Sequence, residues 1–185
     1  MATPLARTST EAHLYMDLRP CDCGETASSW SSSVIELDDD LGSRYTGTCP
    51  SCGTEREFVF RLPDDIVLPI VGQVVYGDGA PSELLDPGEW LWVADRYAGA
   101  VPAQTSALDA EGRLAARSRI SAARAAMDEV LAFVPSGADE VPIESFWSDL
   151  GISVREEEPG RFSRDRLEVI RDTYHRILEE IDSSV

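Results

Sequence analysis

All four cysteines of the 185-residue chain fall in two short pairs, Cys21-Asp22-Cys23-Gly24 and Cys49-Pro50-Ser51-Cys52-Gly53. With one or two residues between them, the two sulfurs of a pair can face one centre. A glycine directly after each second cysteine allows the tight turn whose backbone amides point at the thiolates. Four thiolates suit tetrahedral Zn²⁺ and fill its shell, whereas a catalytic zinc keeps one position open for water or substrate. Cys21, Cys23, Cys49 and Cys52 are therefore expected to form a structural zinc site rather than a redox pair or a reaction centre. Disulfides joining Cys21 to Cys49 and Cys23 to Cys52 are the alternative use of the same residues; reduced thiols on a metal fit a cytoplasmic chain better.

The segments around the pairs read as strands. Trp30 to Leu37 carries Val34-Ile35, Asp38-Asp39-Asp40-Leu41-Gly42 has the composition of a turn, and Arg44 to Thr48 leads back to the second pair. In Glu55 to Leu62, Phe58, Phe60 and Leu62 alternate with Glu57, Val59 and Arg61, the period of a half-buried strand. Two cysteine knuckles on a three-stranded sheet resemble a zinc ribbon over residues 18–63. The second knuckle, Cys-Pro-x-Cys-Gly, has the family's common form, and the first departs from it by having a single residue between its cysteines. The resemblance implies a small metal-stapled module at residues 1–63.

Residues 64–185 read as an acidic helical domain, so the fold class expected is α+β. The stretch from Pro63 to Gly79, with the apolar run Ile66 to Val71, reads as a packed linker containing a short strand. Asp86-Pro87-Gly88-Glu89 is a helix start with an N-cap, a proline at the first helical position and a capping box. Trp90, Ala94, Tyr97 and Val101 then share a face. A long helix is expected from Ser106 to Phe133 on the spacing of Ile120, Ala123, Met127, Val130, Leu131 and Val134. A short helix is expected over Pro142 to Leu150, closed by Gly151, with Ile152 to Arg155 as a strand and Glu158 to Arg161 as a turn. Ser163 should cap a last helix whose apolar face is Leu167, Ile170, Tyr174, Ile177, Leu178 and Ile181.

Charge narrows the function classes. There are 34 acidic residues against 16 basic ones, all arginine, for a net charge of −18. Exclusive use of arginine is what GC-rich bacterial coding tends to produce. Residues 1–63 carry 10 acids and 5 arginines and residues 64–185 carry 24 and 11, so both parts are acidic. Such a field repels nucleic acid and anionic lipid. No apolar stretch is long enough to cross a bilayer and the N-terminus lacks the regions of a signal peptide, which predicts a cytoplasmic protein.

The usual catalytic constellations are missing: there is no Gly-x-Ser-x-Gly, no glycine-rich phosphate loop, and only His13 and His175 as histidines. A zinc deaminase would need a His-x-Glu or Cys-x-Glu element outside the cysteine pairs. Residues 112–126 hold Arg113, Arg117, Arg119 and Arg124 without an acid, and these arginines are expected to pair with acids of neighbouring helices. The function expected is that of a non-catalytic binding protein for a basic protein partner, in the manner of an immunity protein or antitoxin. A transcription-associated or adaptor zinc ribbon and an enzyme with an unfamiliar carboxylate site are the competing readings.

Overall fold

In the computed structural model the described residues are 3–37, 40–65, 73–105 and 108–183. They form an α+β fold in the order α1 (Ser9–Asp17), β1 (Ser31–Leu37), β2 (Asp40–Thr48), β3 (Glu55–Arg61), α2 (Pro87–Gly99), α3 (Ala110–Ala132), α4 (Asp149–Glu157) and α5 (Arg164–Ser183). The chain divides into two compact units. One comprises the first 67 residues with Ser82–Leu84, and the other the remainder.

The first unit is an antiparallel sheet of order β1-β2-β3 with α1 against it. Helix α1 starts where Thr8 accepts the amide of Glu11, a Thr-x-x-Glu start that the sequence reading above does not use. Its Tyr15 ring meets the edges of Phe58 and Phe60 at centroid distances of 6.0 and 5.6 Å. Tyr45, opposite Phe58 in the sheet, meets Phe60 at 5.9 Å, and Trp30 meets Phe58 at 5.3 Å. This aromatic layer, with buried Ala12 and Met16, is the unit's core. Beside it Glu11, fully buried, accepts from the backbone and guanidinium of Arg7 and, at 2.6 Å, from the hydroxyl of Ser82. Glu83 accepts from Leu5 and Arg61, so residues 82 and 83 are tied into this unit by side chains.

In the sheet, Asp40, Leu41 and Gly42 lie within β2, paired with Leu37, Glu36 and Ile35, so the chain reverses within a shorter stretch than the expected five-residue turn. Asp38, Asp39 and the apolar run Ile66 to Val71 lie outside the described residues. Val74, Val75 and Tyr76, expected near a short strand, are irregular.

The second unit is helical. The N-terminus of α2 is the capping box read from sequence: Asp86 accepts the amides of Gly88 and Glu89 at 2.9 Å each, and Glu89 accepts the amide of Asp86 at 3.1 Å. Trp90, Leu91 and Ala94 are fully buried, and Tyr76 packs on Trp90 at 4.9 Å. Helix α3 begins at Ala110 because Asp109 caps it through the Gly112 amide; Ser106, its expected first residue, lies outside the described residues. Ala116, Ile120 and Ile181 pack with Tyr174, Ile177 and Leu178, which joins α3 to the predicted face of α5. Ser163 precedes α5, and its hydroxyl donates to the carbonyl of Gly160.

The segment 142–157 departs from expectation. Ile143–Ser145 is a 3₁₀ turn, and Gly151 together with Ile152 to Arg155 lies inside α4, which is capped by Ser148 through the Gly151 amide. There is no strand at 152–155. Where a turn is expected over Glu158 to Arg161, Pro159–Phe162 is a short 3₁₀ helix. The cause is tertiary: a Cβ on Gly151 would overlap the Asp86 carboxylate, and one on Gly88 would overlap the Gly151 backbone. The fully buried carboxylate of Asp86 also accepts the amides of Trp147 and Ser148 at 3.1 and 2.7 Å, and thus ties the start of α2 to the start of α4. Gly151 is required by close approach, not by a left-handed cap.

Candidate metal centre

The two cysteine pairs occupy turns built alike. In the first, the Cys21 amide donates to Glu25 and the Gly24 amide to Cys21, at 2.9 and 2.7 Å. In the second, the Cys49 amide donates to Thr54 and the Gly53 amide to Cys49, both at 2.9 Å. Gly24 and Gly53 have φ of 87° and 75°, the left-handed region that glycine enters without a Cβ penalty. The first turn is one residue shorter throughout, so the single-residue spacing of Cys21 and Cys23 is absorbed by a tighter turn of the same design.

The turns bring all four sulfurs together, each within 4.8 Å of the others. Cys21 lies 3.6 Å from Cys52, and Cys23 lies 3.6 Å from Cys49. A disulfide needs ~2.05 Å between sulfurs. The four cysteines are free thiols, and neither disulfide of the alternative pairing is formed. Zinc–sulfur bonds of ~2.3 Å in a tetrahedron set sulfurs about 3.8 Å apart, so the donor set and its spacing fit a four-thiolate metal ion such as zinc. Cys21 and Cys49 are buried, while Cys23 and Cys52 are exposed, so an ion held here would be anchored from below and reachable by a chelator from above.

Electrostatics distinguish the sulfurs. The Thr54 hydroxyl and amide, with the Cys23 and Cys49 thiols, bring Cys52 down to about 6. At Cys23 the Glu25 amide favours the thiolate, but the Cys52 and Cys49 sulfurs and burial outweigh it and push that thiol up to about 12. The thiolate is thus favoured at Cys52 and disfavoured at Cys23, opposite directions for two sulfurs that lie close together.

Two residues absent from the sequence-level site brace it. Glu25 accepts the Ser51 hydroxyl from the other turn and the Ala27 amide at 2.9 Å; these bonds hold its carboxyl below the usual range. The Glu25–Ser51 bond links the turns independently of the sulfurs. Nothing in the local sequence marks it, because the partners are 26 residues apart.

The other singled-out residues take ordinary places. His13 is exposed, donates from Nδ1 to the carbonyl of Ser9 at 2.7 Å and packs edge-on to Tyr45; it is not in the sulfur cluster. His175 lies 3.5 Å from Glu179 on an exposed helix face. Arg117 pairs with Asp182 and Arg124 with Asp128, while Arg113 and Arg119 donate to the carbonyls of Leu108 and Ala100. Burial raises the carboxyls of Asp17 and Asp128, which belong to different units. Among the described residues, the four-cysteine cluster is the one group of metal-ligating side chains that converge, and no helix is long and apolar enough to cross a membrane. Compared with known proteins, the chain matches no family model, no curated protein and no solved structure.

Proposed function

We propose that the N-terminal unit is a zinc ribbon in which Cys21, Cys23, Cys49 and Cys52 hold one structural Zn²⁺, and that the whole chain is a non-catalytic acidic protein that binds a basic protein partner. A four-thiolate shell leaves zinc no open position, so the metal's contribution is to folding. The partner reading is carried by charge: a surplus of 18 negative charges on 185 residues speeds encounter with a basic surface and disfavours nucleic acid and anionic membranes.

The arginines favour that reading over a DNA-facing ribbon. Arg56 lies over the Trp30 and Phe58 rings at 5.2 Å and donates to the Arg19 carbonyl, Arg61 is held by Glu83, and Arg44 is 3.9 Å from Glu57. The strands thus spend their cations on internal contacts. Neutralisation of a basic toxin, as by an immunity protein or antitoxin in the cytoplasm, is the form of this function that acidity and size suit best.

The test is kinetic. With the co-purifying partner in hand, the association rate should fall steeply as salt rises while dissociation changes little. Charge reversal at Glu156, Glu157 and Glu158 should slow association as well. An on-rate indifferent to both would remove electrostatic capture from the account.

A further inference from the structure

The two edges of the sheet are treated differently. At the β3 edge, Arg61 donates its amide to Pro4 at 2.8 Å and its carbonyl accepts the amide of Ala6 at 3.1 Å, so the N-terminal residues cover that edge at the last residue of β3. Strand β1 forms the other edge. Five of its seven residues are exposed, and Val34 is 67% exposed.

The hydrogen-bond parity says which groups of β1 are left over. Leu62 donates to the carbonyl of Leu41, so odd-numbered residues of β2 bond to β3 and even-numbered ones to β1. In the β1–β2 register, even residues of β2 face odd residues of β1, such as Gly42 against Ile35 and Arg44 against Ser33. The amides and carbonyls of Ser32, Val34 and Glu36 therefore point out of the sheet. Among the described residues none of these groups has a backbone partner. Exposed edges are ordinarily guarded by lysine, proline or a bulge. Ser31 to Leu37 has no lysine and no proline, and its pairing with β2 is continuous.

We propose that this edge pairs with the same strand of a second copy, antiparallel about a two-fold axis at Val34, to give a dimer with one sheet running through both chains. In that register Val34 faces Val34, Ser33 faces Ile35, Ser31 faces Leu37, and Glu36, the strand's one charge, faces the Ser32 hydroxyl rather than another Glu36. Ser32, Val34 and Glu36 of the two copies exchange about six backbone hydrogen bonds. Asp40, which pairs with Leu37 in its own chain, falls at opposite ends of the joint in the two copies, roughly 20 Å apart by strand rise and beyond the ~8 Å screening length of physiological salt. A basic partner would meet a single countercharge along this strand, which is why a second copy suits the edge better.

Two copies that each carry −18 repel, so association should strengthen with salt, the reverse of capture of a basic partner. The test is sedimentation equilibrium on the full zinc-loaded chain across a concentration series at low and high salt. The average mass should rise towards twice that of one chain, and at lower protein concentration in high salt. Val34→Pro removes the central outward amide without taking a bond from β2, and Val34→Lys sets two cations face to face at the axis. Each should remain a single chain with the wild-type circular dichroism, and the lysine variant keeps the test sound if proline disturbs the strand. A wild type of single-chain mass under every condition, or either folded variant associating as tightly as wild type, would overturn the proposal.

Discussion

The two units solve the problem of stability by different means. The helical unit buries whole apolar faces, with Trp90, Leu91, Met127, Val130 and Leu167 fully enclosed, and the buried capping carboxylate of Asp86 is satisfied by four amides. The N-terminal unit has a single aromatic layer on one side of a three-stranded sheet, an edge strand exposed on both faces, and four thiols that repel one another once charged. Small sheets of that kind rarely fold on apolar burial alone, and a structural metal is the usual supplement. The difference teaches that the metal should matter to one unit and be nearly invisible to the other.

The largest effect should come from Cys49→Ser. Structural zinc contributes on the order of 10 kcal/mol to the folding of small modules. Loss of a buried ligand should therefore unfold the N-terminal unit, seen as loss of the near-ultraviolet signal of Tyr15, Tyr45 and Trp30, with most helical circular dichroism retained. Loss of the helical signal in parallel would break the comparison.

Next comes Glu11→Ala, which leaves the Arg7 guanidinium buried without its carboxylate. Removing one partner of such a pair costs roughly 3–5 kcal/mol. The cost should fall on the N-terminal unit, because Arg7, Thr8 and Ser82, to which Glu11 is hydrogen-bonded, belong to it. Chemical denaturation of the zinc-loaded protein measures it.

Asp86→Ala is the mirror experiment in the helical unit. It strands amides at the starts of both α2 and α4, at about 1–3 kcal/mol for a buried unsatisfied donor on top of about 1 kcal/mol for a lost cap. The helical transition should move to lower denaturant, while the cobalt-substituted cysteine site keeps its absorption. The smallest effect belongs to Asp182→Asn at the exposed pair with Arg117, at most about 1 kcal/mol.

What could be read from the sequence is what short-range chemistry decides. The Asp86 capping box, the apolar face of α5 and the pairing of cysteine knuckles with strands each depend on residues within a few positions of one another. Gly151 shows the limit. A glycine after an apolar stripe reads as a helix end, yet here it lies inside α4 because Asp86, 65 positions earlier, occupies the space a side chain would need. Ile143 and Trp147, within the helix expected over Pro142 to Leu150, are exposed after the same rearrangement. Glu25–Ser51 and Glu11–Ser82 are likewise contacts between distant segments, invisible to periodicity. Helix α1 is a different omission: Thr8 and Glu11 carried a readable start signal, but nine residues with little amphipathic pattern concealed it.

The most direct test is amide hydrogen exchange of the whole chain, zinc-loaded and after chelation, resolved by segment. The account predicts one zinc per chain, collapse of protection in β2, β3 and α1 when zinc is withdrawn, and unchanged protection in α2, α3 and α5. Retained protection in β2 and β3 without metal would contradict it.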